Sequence, residues 1–272
     1  MFTEAYMQRA IAAAIILGPV CALLGVFVTA RRLSFFSDTI AHGALAGVAI
    51  GIWMGLTDLT LPMILFSLSV AVAMIWLKEN TDLLTDSIMA LLLSGSVALG
   101  ILILSLVRGN RGELHSYLFG DLLAIEWKDV AIAAVLLLVV LFGLWRWLTP
   151  ITLMTVNEDL AKVSSVNVRA LNYAFVLLLT ITVALSIRLL GIVLVTSLLV
   201  IPPAIARPLS LNLRHQIIIS IIAGFLSCFG GTVLSWQLNV PCGATIVLTC
   251  VGLFVVALIT SKFRQRSSQP YS

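Results

Sequence analysis

Residues 216–261 contain no Asp, Glu, Lys or Arg, an uncharged run of 46. A helix crosses about 30 Å of hydrocarbon with roughly 20 residues. The run therefore predicts two spans, divided at the turn-like Asn239-Val240-Pro241-Cys242-Gly243. Shorter uncharged runs over residues 10–30, 59–77, 87–107, 130–145, 170–187 and 189–206 each supply about enough length for one more. Residues 33–55 are also long and apolar enough to cross, yet carry Asp38 and His42. With them the count is nine spans; without them it is eight. The runs are continuous rather than alternating, which argues against an outer-membrane barrel and predicts an all-α, polytopic transmembrane bundle.

Composition points the same way. With 61% of residues apolar and 10% charged, the chain cannot cover a soluble globule with polar surface. No period of 20 to 50 residues and no linker divides it, so residues 1–272 read as a single transmembrane domain in a lipid bilayer. The first run lacks a convincing small-residue cleavage site and is kept as a span, and the polar tail 262–272 reads as frayed. Cys21, Cys228, Cys242 and Cys250 lie in apolar runs without a C-x-x-C pair and read as buried small hydrophobes. A net charge of +4 gives no case for nucleic-acid binding; the placement of the basic residues is more informative.

With nine spans the loops alternate sides, and the 16 basic residues fall into two sets. One holds eleven: Arg31, Arg32, Lys78, Arg146, Lys162, Arg169, Arg207, Arg214, Lys262, Arg264 and Arg266. The other holds five: Arg9, Arg108, Arg111, Lys128 and Arg188. The positive-inside rule puts the eleven in the cytoplasm, with the N-terminus outside and the C-terminus cytoplasmic. Residues 108–128 then stay outside. Within them 114–125 is too short to cross and reads as a short outer-face or re-entrant helix.

Asp38 and His42 are four residues apart, so a helix projects them from one face. Counted at about 1.5 Å per residue from Arg32, they lie roughly 9 and 15 Å deep, His42 near midplane. Charge at such depth is costly and belongs in the bundle interior or a wet cavity. A carboxylate and an imidazole one turn apart can hold a divalent transition metal. A second reading stays open, in which Asp38 only orients His42 or both bond neighbouring backbone. Gly43, Gly47, Gly51 and Gly55 form an every-fourth-residue stripe that lets another helix approach closely and flanks the Asp38/His42 face.

Other candidates are less pointed. His115 and Asp121 lie in the outer segment, where they meet an arriving ion or serve as cap and loop hydrogen-bond groups. Pro202 and Pro203 interrupt a span, as a kink, an unwound pathway lining or a helix end. Arg188 is expected to snorkel at the outer end of its span. Asn157 is placed to cap a short cytoplasmic helix over 157–168, followed by Glu158 and Asp159 in its first turn. No P-loop and no H-E-x-x-H motif is present, so the chain supplies neither an ATP site nor a zincin-type protease.

Four blocks carry a resemblance to the membrane subunit of metal-uptake ABC importers, and within that group to zinc-uptake permeases. They are Arg31 to His42 running into the glycine stripe, Tyr117 to Ala124, Glu158-Asp159-Leu160-Ala161, and Thr196 to Ala204 with its Pro202-Pro203. The chain departs from such relatives at Ser37, where glycine is common, and in having two prolines rather than one. The resemblance implies a non-enzymatic permease subunit in the bacterial cytoplasmic (inner) membrane, working by alternating access at a homodimer interface. It implies two copies of a separate ATPase that binds ATP, and an extracytoplasmic solute-binding protein. No cofactor resides in the chain; its cargo is zinc, or else manganese or iron. Asp38 and His42 match the intramembrane acid-x-x-x-histidine pair, and Asn157, Glu158, Asp159, Leu160, Ala161 and Val166 fall in the helix that couples to the ATPase. The rival is a stand-alone secondary carrier with Asp38/His42 as a proton relay.

Overall fold

The computed structural model describes residues 5–106, 125–164, 167–238 and 240–267. Among them ten α-helices follow in order: α1 (Ala5–Ala30), α2 (Phe36–Trp53), α3 (Thr60–Asn80), α4 (Thr85–Leu106), α5 (Trp127–Val156), α6 (Glu158–Val163), α7 (Val168–Leu190), α8 (Ile192–Ala206), α9 (Leu213–Leu238) and α10 (Cys242–Ser267). Eight helical segments are long and apolar enough to cross a membrane, the one at α8 running on through the 3-10 turn Arg207–Leu209. α2 stands apart from these eight, shortened to 18 residues and diluted by Asp38 and His42. The expected helix over 114–125 lies outside the described residues, apart from Ile125, which is buried. His115, Asp121 and Val166 lie outside them too.

Helix ends follow local chemistry. At the end of α1, Leu33 N–H bonds to Val28 O at 2.8 Å and Arg32 N–H to Thr29 O at 3.2 Å, with Arg32 at φ 57°. This paired closure satisfies carbonyls left over at the helix terminus and turns the chain into α2. The same closure ends α2, where Leu56 N–H bonds to Gly51 O and Gly55 N–H to Ile52 O, both at 3.0 Å. Gly55 adopts φ +69°, with open space where a Cβ would sit. It therefore serves the turn, unlike the rest of its stripe, because only glycine enters that conformation without strain. Gly191, at φ 83° and ψ 161°, separates α7 from α8 in an extended positive-φ conformation.

The two long-run expectations differ in detail from what is seen. α5 is 30 residues rather than 16: a capping box between Glu126 and Asp129 starts it early, and it runs through Arg146 and Pro150. α10 continues to Ser267, so the segment expected to fray from Lys262 is helical for its first turn and more. Basic residues near a helix C-terminus suit the negative end of its dipole.

Two groups of helices pack internally. α1 packs on α8 and α9, the helices α8, α9 and α10 contact one another, and α2 lies between α3 and α4. α5 rests on α1, and α7 on α3. Small residues permit this closeness: a Cβ on Gly224 would meet Ala22 Cβ at 2.8 Å and Gly18 O at 3.0 Å, and the buried Ser220 hydroxyl donates to Ala22 O at 2.9 Å. Cys21, Cys228 and Cys250 are buried free thiols, and Cys242 is half-buried.

Polar ties hold the two ends. Arg169 grips Glu79 through Nε and Nη2 at 3.1 and 2.7 Å, joining α7 to α3 beside α6. At the opposite end Arg188 donates to Thr60 Oγ1 at 2.8 Å and lies 3.6 Å from Asp129. Arg188 thus anchors the starts of α3 and α5 rather than simply reaching for water.

Candidate metal-transfer site

α2 places the candidate ligands. Twelve of its eighteen residues are buried, yet Asp38 and His42 are only half-buried, on a face left partly open. The glycines fall on another face. A Cβ on Gly43 would meet Val70 Cγ2 at 3.3 Å, on Gly47 the Pro62 carbonyl oxygen at 2.7 Å, and on Gly51 Pro62 Cγ at 2.8 Å. Each therefore lies against α3. Thr39 turns to α4, donating to Met89 O at 3.3 Å and to Phe35 O at 3.0 Å within its own helix. With two sides committed to packing, the acid and imidazole project from the remaining one.

Asp38 sits in the first turn of α2, and no side chain caps Phe35 there. The positive end of the helix dipole favours a carboxylate at this position. His42 follows one turn later, its Nδ1 2.8 Å from the Asp38 backbone oxygen. A carbonyl only accepts, so Nδ1–H donates, and in the neutral ring the lone pair then resides on Nε2. That is the protonation pattern of a metal-binding imidazole, whose second nitrogen is held by backbone or carboxylate.

Depth is less than counting from Arg32 suggests. Residues 31–35 form the turn between α1 and α2 and add no helical rise. From Phe36, His42 is about 9 Å along a helix about 27 Å long, short of its middle on the side that carries α6.

Across from the pair stands α8. The Thr196 hydroxyl lies close to the Asp38 carboxylate and 3.3 Å from Val193 O in its own helix. Sequence reasoning did not single out Thr196, although it opens one of the blocks that carry the family resemblance. Pro202 and Pro203 are buried within a continuous α8. On the α6 side of the pair, a cavity of about 400 Å³ is lined by Thr29, Ser34, Val200, Ala204 and Arg207 among others. Among the described residues no group of three or more His, Cys, Asp or Glu is gathered to hold a metal. Asp38 and His42 offer two candidate ligands, short of the four that close a structural zinc site.

At the end of α5, Asn157 Oδ1 accepts from Asp159 N–H at 2.9 Å and Leu160 N–H at 3.1 Å, capping α6. Lys162 pairs with Asp159 at 3.4 Å. Leu160 is exposed and Ala161 buried.

Apolar flanks, many spans and a polar pair inside them define a multi-pass membrane transport subunit. A profile of the ABC 3 transport family matches residues 3–261, and the chain belongs to that family. It is a permease subunit of a metal-uptake ABC importer, located in the bacterial inner membrane, and not an enzyme; ATP hydrolysis resides in a separate subunit. The chain is 34% identical over 244 residues to the high-affinity zinc uptake system membrane protein ZnuB of Haemophilus influenzae, covering 90% of this chain and 93% of that one. It is 30% identical to the chelated iron transport system membrane protein YfeD of Yersinia pestis, covering 95% and 86%. It is also 29% identical to the manganese transport system membrane protein MntC of Halalkalibacterium halodurans, covering 96% and 89%. The solved structure of PsaBC from Streptococcus pneumoniae in complex with Fab superposes with a TM-score of 0.82 at 27% identity, covering 94% of this chain and 91% of that chain. Membership removes the stand-alone carrier reading.

Proposed function

We propose that this permease passes zinc across the membrane, with Asp38 and His42 as transient ligands on the path. The observation that carries the reading is the Nδ1–H bond from His42 to Asp38 O, which leaves Nε2 available beside a carboxylate. Two ligands from each of two copies would complete a tetrahedral set at a homodimer interface, with water as the alternative. A transport site gains from such incompleteness, because the ion must leave as readily as it enters. The cavity lined by Ser34 and Ala204 is then the exit on the cytoplasmic side.

The eleven basic residues orient the α6 end toward the cytoplasm. There α6, capped by Asn157, docks into one of two ATPase copies and relays their closure, while a solute-binding protein delivers the ion on the far side. Zinc is favoured over manganese or iron by the identity to a zinc-uptake membrane protein. An imidazole–carboxylate pair also serves the other two metals, and relatives named for manganese and iron keep that second reading open.

The test is uptake into proteoliposomes holding the permease with its ATPase and binding protein, with zinc, manganese and ferrous iron in competition. Zinc uptake that stops on ATP depletion and persists with a proton uncoupler is expected. Manganese or iron outcompeting zinc would replace the cargo; uptake that ignores ATP would overturn the coupling.

A further inference from the structure

A second cavity, of about 560 Å³, opens at the α6 end between Arg31, just past α1, and the helices α3, α5, α6 and α7. Its lining includes Arg31, Lys78, Lys162 and Arg169 against one acid, Glu79, with Asn172 at its inner wall. Arg169 and Glu79 neutralise one another, and Asp159, almost fully exposed, offsets Lys162. Among the described residues, even with both acids counted, the lining carries two more basic than acidic side chains.

The basic side chains are built in. Arg31 donates through Nη2 to Asn172 Oδ1 and lies 5.1 Å over the Phe175 ring. Lys78 and Lys162 also have partners within the chain. What the cavity offers an anion is net charge and room, not a vacant cation. Trp76, exposed at the same level of α3, sets the depth: tryptophan concentrates where a membrane meets water. Basic pockets between spans at that level suit phosphate-bearing headgroups.

We propose that this cavity binds a phosphate-class anion, supplied by the headgroup of an anionic phospholipid or by free phosphate. The site is separate from Asp38 and His42 and does not depend on which metal is carried. Its occupant would touch α6, α3 and α7 together. Bound there, it would brace the short helix α6 against the ends of the spans.

The test uses the full-length permease in nanodiscs of phosphatidylcholine with or without phosphatidylglycerol, followed by native mass spectrometry of retained lipid. A second arm titrates inorganic phosphate against the lipid-stripped protein. Phosphatidylglycerol should be retained in preference to phosphatidylcholine. The exposed pair Lys78→Gln/Lys162→Gln should weaken that retention roughly 30-fold, about fivefold per basic residue near an anionic headgroup. Arg214→Gln, which borders a different cavity, should leave it unchanged. Phosphate binding without lipid preference would assign the free anion as the source, provided the same two substitutions weaken it. Lys162→Gln alone keeps the test open if the double variant does not fold. Equal binding of both probes by wild type and the variants, or no binding of either, overturns the site.

Discussion

Gly25 of α1 lies against the carbonyl of Leu199 on α8, and a Cβ at Gly25 would overlap that oxygen and approach Pro203 Cγ to 2.9 Å. Pro203 has no N–H to offer Leu199 one turn back, so the freed carbonyl meets the neighbouring helix where glycine lets it come close. Gly25→Ala should force α1 and α8 apart and destabilise the protein by about 1–3 kcal/mol, the usual range for overpacking. Thermal unfolding in detergent checks this. Pro203→Ala restores an N–H and removes Cγ but leaves the Leu199 carbonyl in place, so it should not rescue Gly25→Ala; rescue would show that the proline and not the carbonyl contact sets the spacing.

His42→Ala should lower metal uptake by at least roughly 100-fold, since loss of mere outer-shell partners already costs 10–100-fold. The variant should still insert and purify, because His42 is only half-buried and its ring bonds backbone rather than a neighbouring helix. Radiolabelled zinc uptake in the reconstituted importer reads the effect. Uptake at the wild-type level would remove His42 from the path.

Asn157→Ala removes the oxygen that receives the Asp159 and Leu160 N–H groups. A lost cap costs about 1 kcal/mol, and α6 has only six residues over which to recover it. Weaker co-purification of the ATPase and zinc-stimulated hydrolysis several-fold below wild type are expected, with membrane insertion unchanged. Asn157→Asp keeps a capping oxygen and should retain both. If Ala and Asp behave alike, α6 does not depend on this cap for docking.

The bundle was legible because lipid imposes long uncharged runs, and every helix capable of crossing corresponds to one of them. The Asp38/His42 pair was legible for the same reason, as polar groups in apolar sequence. Depth was not, because residues 31–35 look continuous with the span and only the left-handed Arg32 reveals a turn. Gly55 shared the spacing of Gly43, Gly47 and Gly51 while doing different work, since period alone does not report φ. Arg188 illustrates a third limit: its partners Thr60 and Asp129 are 128 and 59 positions away, and only tertiary packing joins them.

Thr196 offers the most discriminating test of the site. Its hydroxyl carries one proton and faces two acceptors, Val193 O and the Asp38 carboxylate. With the ion absent it can orient Asp38; when the carboxylate turns to a metal, the hydroxyl can donate to Val193 O instead and stay paired. Thr196 would then be a positioning residue for Asp38. Thr196→Val keeps shape and removes the proton, so the metal concentration for half-maximal uptake should rise about 10-fold or more, within the range for outer-shell partners. Maximal rate should change less, because Asp38 and His42 remain. Thr196→Ser restores the hydroxyl and should return the half-maximal concentration to near wild type. A purely structural role would give unequal unfolding temperatures for the two variants with no shift in that concentration, and this outcome would separate Thr196 from the metal path.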